Sequence, residues 1–135
     1  MRNAKEEALR WLNQAEHDLK ALEILLKQGF FSDSCYFAEQ ICQKVLKAFL
    51  IAQGQRFVPQ HSIKVLTESC RKLDKDFASF AEMGKVLDQY YLGSRYPDAV
   101  NPPALPFEIY TENQAREAAD SARTILSLVR KKLVS

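Results

Sequence analysis

Helix breakers, cysteines and histidines are all scarce in this chain, and each scarcity excludes something. Four glycines and five prolines serve 135 residues, and three of those prolines fall between residues 102 and 106. The rest of the chain is almost free of breakers, which favours long helices over many short strands. The three cysteines, Cys35, Cys42 and Cys70, form an odd count without C-x-x-C spacing. That argues against a disulfide framework or a zinc site. Cys35 and Cys42 would lie on one helix with Cα atoms roughly 10 Å apart, too far to bridge. They read as buried, reduced thiols of a cytoplasmic protein. No apolar run approaches the ~20 residues that span a bilayer. The charged segment from Met1 to Arg10 lacks the apolar stretch of a signal peptide. Neither a membrane nor an exported destination is expected. With two histidines, His17 and His61, no Gly-rich phosphate loop and no H-E-x-x-H or G-x-S-x-G pattern, neither a metal nor a cofactor is expected.

What is present is apolar periodicity. Hydrophobic residues make up 47% and charged residues 27%, the globular range. The length suits one domain over residues 1–135, and no internal repeat is visible. In the stretch Ala4 to Lys27, Ala8, Leu12, Ala15, Leu19, Leu22 and Leu26 alternate spacings of four and three, the stripe of a bundle-facing helix. Gln28-Gly29 ends it. A second helix, capped by Ser32 or Asp33, runs to about Gln53 with Ala38, Ile41, Val45, Ala48 and Ala52 inward. The short link between them makes the two helices antiparallel neighbours. A third, shorter helix turns Ile63, Leu66, Cys70 and Leu73 inward. After a turn at Asp74-Lys75-Asp76, a fourth carries Phe77, Phe80, Met83, Leu87 and Tyr90 or Tyr91 and stops at Gly93. Ser94 to Tyr110 is irregular, yet rich enough in Tyr, Phe, Leu and Val to pack on the bundle. Thr111-x-x-Gln114 is a capping box opening a last helix lined by Ala115, Ala118, Ala122, Ile125 and Val129. The expected fold is all-α: an antiparallel up-and-down bundle of four main helices plus one short helix.

Candidate chemistry gathers in a few places. The net charge of +2 is too small to imply a broad nucleic-acid surface, but it leaves room for a local basic pocket. On the second helix Gln40, Gln43, Lys44 and Lys47 form a polar stripe. It is either a solvated face or a groove offering amides and ammonium groups to a phosphate. His17 reads as a surface residue, and His61 as a local cap or a pocket residue. In Tyr90-Tyr91-Leu92-Gly93-Ser94-Arg95-Tyr96-Pro97, Arg95 can fork onto a phosphate. Tyr91 and Tyr96 can stack on a base. The alternative is structural, with Arg95 binding helix C-terminal carbonyls and the tyrosines serving as core.

Four segments in order carry a resemblance: Ala8-x-x-Trp11-Leu12-x-x-Ala15-x-x-Asp18-Leu19; the A-E-Q-x-x-Q-K-x-x-K-A run from Ala38 to Ala48; His61-Ser62-Ile63-x-x-Leu66; and Tyr90 to Asp98. Together they resemble the HEPN family over nearly the whole chain. The resemblance implies a five-helix bundle that dimerises, in a cytoplasmic prokaryotic protein acting with a separate small nucleotidyltransferase. In several branches such pairs are toxin and antitoxin, and the toxin is a metal-independent ribonuclease with the signature Arg, four to six residues, His. Other branches bind nucleotides without cleaving. This chain has Gln43 where the family usually has Glu. After Arg95, the positions for the signature histidine hold Val100, Asn101 and Pro102. The spacing recurs as Arg56/His61 and as Arg10/His17, both outside the family's segment. The leading expectation is a non-catalytic nucleotide- or RNA-binding domain using Arg95, Tyr96, Tyr91, Lys44, Lys47, Gln40 and His61. A ribonuclease toxin using Arg95 or Arg56 and His61 is the alternative, and a ligand-free protein-interaction module is the third reading.

Overall fold

The structure, a computed structural model, describes residues 3–134. Its long elements are α1 (Ala4–Lys27), α2 (Phe31–Ala52) and α7 (Glu112–Leu133), with α3 (Ile63–Leu73), α4 (Ala81–Asp88), α5 (Tyr90–Gly93) and α6 (Pro106–Ile109) between them. No strand occurs among the described residues, as the scarcity of breakers implies. No helix there is long and apolar enough to cross a membrane.

α2 is the axis of the bundle. Apart from Tyr36 and Phe37, its apolar residues from Cys35 to Leu50 are almost fully buried, and α1, α3 and α7 all pack against it. Gly29, at φ 84°, supplies the left-handed turn that sends α2 back along α1. Two cross-links give the direction of α7: Arg123 pairs with Glu23, and Arg130 with Glu16. Pairing numbers that run in opposite senses make α7 antiparallel to α1, and so parallel to α2. Small side chains at Ala115, Ala118, Ala119 and Ala122, all buried, let α7 approach closely.

α3 and α4 form a tight helical hairpin over the other side of α2. A Cβ added to Gly84 would stand 3.0 Å from the backbone nitrogen and Cα of Lys64, so the crossing depends on that glycine. Phe77 packs on Phe49 with ring centroids 4.6 Å apart, and the Cys70 thiol donates to the Leu46 carbonyl at 3.6 Å. Burial pushes the Cys35 and Cys70 thiols up to about 12 and raises Cys42 as well. Three buried free cysteines held in the thiol form are poor nucleophiles.

Some elements differ from the sequence reading. α2 starts two residues or more earlier than expected, at Phe31, and neither Ser32 nor Asp33 caps it; Phe30 occupies the cap without a side-chain hydrogen bond. The Ser34 hydroxyl instead donates to the Phe30 carbonyl at 2.7 Å, and burial of Ser32 and Ser34 holds the first turn in place. Leu73, expected inward, is 54% exposed because α3 ends there and Phe77 takes the core position. The fourth helix is broken into a 3-10 segment (Lys75–Phe80), α4 and α5. Asp74 causes the first break by accepting the Asp76 N–H at 3.0 Å. Ser94 to Tyr110 is tied down, as expected, by Tyr110 packing edge-on to Tyr90 at 5.6 Å. The capping box is present: Gln114 N–H donates to Thr111 Oγ1 at 3.2 Å, and Thr111 N–H to Gln114 Oε1 at 2.9 Å.

Candidate functional site

The polar stripe of α2 is not a solvated face. Glu39 is 1%, Lys47 5% and Gln43 8% exposed, and Gln40 and Lys44 are half-buried. An uncompensated polar group costs several kcal/mol at such depth, so where the bonds go decides what the stripe is.

Glu39 anchors it. Its carboxylate accepts the Gln40 amide N–H at 2.7 Å and the Gln43 amide N–H at 3.0 Å. Burial raises its pKa; the two amide bonds and the nearby Arg95 charge pull it down, and the Asp88 charge adds to the rise. With the Gln43 nitrogen facing Glu39, its Oε1 must face the other way, where His61 Nδ1 stands at 2.9 Å. Two acceptors cannot share that contact, so Nδ1 carries the proton and donates. In the neutral ring, Nε2 then keeps a lone pair. Glu39 thus sets the His61 tautomer through Gln43, two residues away in the chain of contacts.

Lys47 lies at the next turn. Its Nζ is 3.5 Å from His61 Nδ1 and 5.8 Å from the Trp11 ring centroid, and it has no ion pair among the described residues. Burial lowers its pKa, opposed by the charge of Glu39. Lys44, a turn earlier, is different. It pairs with Asp18, a buried carboxylate that also accepts the Gln14 amide at 3.0 Å. Of the two stripe lysines, only Lys47 lacks a carboxylate in contact among the described residues.

The opposite wall comes from the α4–α5 corner. Arg95 lies over three tyrosine rings, with its guanidinium carbon 4.1 Å from the centroid of Tyr36, 4.8 Å from Tyr96 and 5.3 Å from Tyr91. Its Nε–H donates to the Tyr91 carbonyl at 3.0 Å, so the structural reading of Arg95 accounts for one donor. The Nη donors have no protein acceptor among the described residues. Tyr91 is 38% exposed, and its ring runs parallel to His61, 5° off plane with centroids 6.5 Å apart. Asp88 fixes the loop bearing His61: it accepts the Ser62 hydroxyl at 2.7 Å and the backbone N–H groups of Ile63 at 2.5 Å and Lys64 at 3.2 Å. This is an N-terminal cap of α3 supplied from another helix.

Gln40, Gln43, Lys47, His61, Tyr91 and Arg95 are therefore linked in one chain of contacts between α2 and the α4–α5 corner. Tyr96 borders it through Arg95. Arg56 lines an adjoining groove with His61 but makes no hydrogen bond with it. His17 is exposed and lines a different groove, with Arg10, Trp11 and Lys44. Periodicity did not single out Glu39, Asp88 or Tyr36. Glu39 stands four residues before Gln43, a signal of amide–carboxylate contact on a helix. Asp88 acts across a gap of more than twenty residues and left no local signal.

The model of the HEPN domain matches residues 8–132. The chain belongs to the HEPN family. Among solved structures, TT1696 from Thermus thermophilus is 37% identical with a TM-score of 0.81, over 93% of this chain and 97% of that one. ST0689, described as an archaeal HEPN homologue, is 31% identical with a TM-score of 0.74, over 98% of this HEPN chain and 99% of its own. A protein of Methanocaldococcus jannaschii named "Putative toxin MJ1304" is 27% identical over 128 residues, 89% of this chain and 84% of that protein.

Proposed function

We propose that this HEPN chain binds a nucleotide or RNA in the cleft between α2 and the α4–α5 corner, acting as a homodimer beside a small nucleotidyltransferase, and that its binding role is non-catalytic. The observation that supports the reading is a pair of cations linked through the His61 and Tyr91 rings, Lys47 and Arg95, neither with a carboxylate in contact among the described residues. Held unpaired beside stackable rings, they suit a phosphate that bears a base. Family membership is what favours the dimer and the nucleotidyltransferase.

A thermal-shift panel of ATP, GTP and short RNA on wild type and Arg95→Ala tests the binding. A ligand at 100 times its dissociation constant adds about 2.7 kcal/mol, a rise of several degrees. The rise is expected in wild type and absent in a folded Arg95→Ala. Equal shifts in both proteins, or none in either, would sink the assignment.

A second reading has its own support. A His61 ring that donates through Nδ1 offers Nε2 as a base, and a relative carries the name toxin. Metal-independent RNA cleavage would follow: His61 takes the 2′-hydroxyl proton, the 2′-oxygen bonds to phosphorus, and the 5′-oxygen leaves with a proton from water, giving a 2′,3′-cyclic phosphate. Cleavage of RNA in EDTA that is lost in His61→Ala supports it. Intact RNA after long incubation with concentrated protein excludes it.

A further inference from the structure

Trp11 is a half-buried indole of α1 that the cleft itself does not use. It leans on the core with one side and forms the wall of a groove of about 360 Å³ with the other. Lys47, Arg56, Pro59 and His61 also line that groove. His61 thus faces both spaces, with Tyr91 parallel to its ring on one side and the Trp11 groove on the other. Lys47 stands between them, its Nζ close to both His61 and Trp11. Arg56 has an exposed side chain without an ion pair among the described residues. The acidic residue in the groove, Glu7, is held by Arg10 at 3.0 Å.

Along the surface, the order is ring, cation, ring, cation: Tyr91 with His61, Lys47, Trp11, Arg56. A mononucleotide needs one ring and one cation. A single strand needs them in alternation, because bases and phosphates alternate along it. Resting on the nucleotide-binding reading above, we propose that the Trp11 groove is a second base subsite, which takes the nucleotide next along the strand of an RNA held at Tyr91. One base stacks at Tyr91, the connecting phosphate sits at Lys47, the next base stacks on Trp11, and the following phosphate reaches Arg56.

The test is fluorescence anisotropy of a labelled short single-stranded RNA, 2′-O-methylated so that no cleavage intrudes, with AMP as competitor. Wild type, Trp11→Leu, Arg56→Ala and Arg95→Ala are compared. Trp11→Leu keeps an apolar side chain against the core but has no π-face. It is expected to weaken RNA binding by about tenfold, the scale of one lost base stack, and to leave AMP competition unchanged. Arg56→Ala, at an exposed position, is expected to weaken RNA binding and to reduce the salt slope of log affinity by about 0.7 in magnitude, one phosphate contact. Arg95→Ala is expected to weaken both ligands. If Trp11→Leu loses the fold, Arg56→Ala still reports on the groove. RNA that binds no tighter than AMP, or wild-type RNA affinity and salt slope in Arg56→Ala, overturns the second subsite while the Arg95 cleft stands. If neither AMP nor RNA binds wild type, the underlying reading falls and this one with it.

Discussion

Replacing Lys47 by methionine should make the protein more stable and less able to bind. Lys47 is 5% exposed, and its ammonium has no carboxylate in contact among the described residues, only the face of Trp11. Methionine keeps an unbranched apolar side chain in the same channel and removes the charge. Removing an ammonium that is buried without a carboxylate in contact relieves part of a desolvation penalty of several kcal/mol per ion, less its attraction to Glu39. The lost cation–π contact subtracts about 0.5–2 kcal/mol. A net gain of about 1 kcal/mol raises Tm by about 3–4 °C in a chain of this length. The sign carries a pH dependence. Burial lowers the pKa of Lys47 from 10.5, so the wild-type penalty is full below the folded pKa and fades as pH rises from there toward 10.5. The gain of Lys47→Met should fade over the same range. Phosphate binding should weaken by about ten- to a hundredfold, the worth of one charge-assisted hydrogen bond. Calorimetry across pH together with an RNA titration reads both effects. A variant that melts below wild type at neutral pH, or that binds RNA equally well, refutes the reasoning.

Glu39→Gln should change the pH profile of stability. The folded pKa of Glu39 is raised above 4.5 by burial, so ionising it costs wild type progressively more stability as pH climbs from about 4.5 through the raised value. The difference in Tm should move in favour of Glu39→Gln across that window, and a pH-independent difference would contradict the burial argument. Asp88→Ala removes the cap on α3 and should cost about 1–2 kcal/mol, read as a drop in Tm of several degrees; an unchanged Tm would mean that Ser62 alone caps the helix. Gly84→Ala drives a methyl group toward the Lys64 backbone and should destabilise by about 1–3 kcal/mol, measured by urea unfolding; a neutral result would show that the α3–α4 hairpin can part at little cost.

The bundle was legible because it rests on local, periodic signals. The stripe from Ala8 to Leu26, the glycine at 29 and the Thr111–Gln114 box each specify an element within a few residues of themselves, and all three stand as read. Where α2 begins was less legible, since Ser32 and Asp33 are good caps in isolation and only the burial of Ser32 and Ser34 moves the start to Phe31. The break in the fourth helix escaped periodicity because apolar spacing over Phe77 to Leu87 continues across the change of helix type. At the site, Arg95, Tyr91, His61 and the α2 stripe were visible as residue types suited to phosphate and base. Their assembly was not, because it depends on Asp88 holding the His61 loop from another helix. The Glu39–Gln43–His61 relay combines a helical spacing that was there to be seen with a loop contact that was not. Lys44 and Lys47 were equivalent in sequence; Asp18, reaching across from α1, makes them different.

The central claim is that the α2 cleft holds RNA through Arg95, Lys47 and His61. The most direct measurement is an NMR titration that follows the His61 ring nitrogens and the Arg95 Nε–H as short single-stranded RNA is added. Before RNA, His61 should show a protonated Nδ1 at a pH where the ring is neutral. With RNA, the His61 and Arg95 side-chain signals should shift together and saturate at one affinity. Shifts confined to other surfaces, or an Arg95 signal that stays still while RNA binds, would contradict the account.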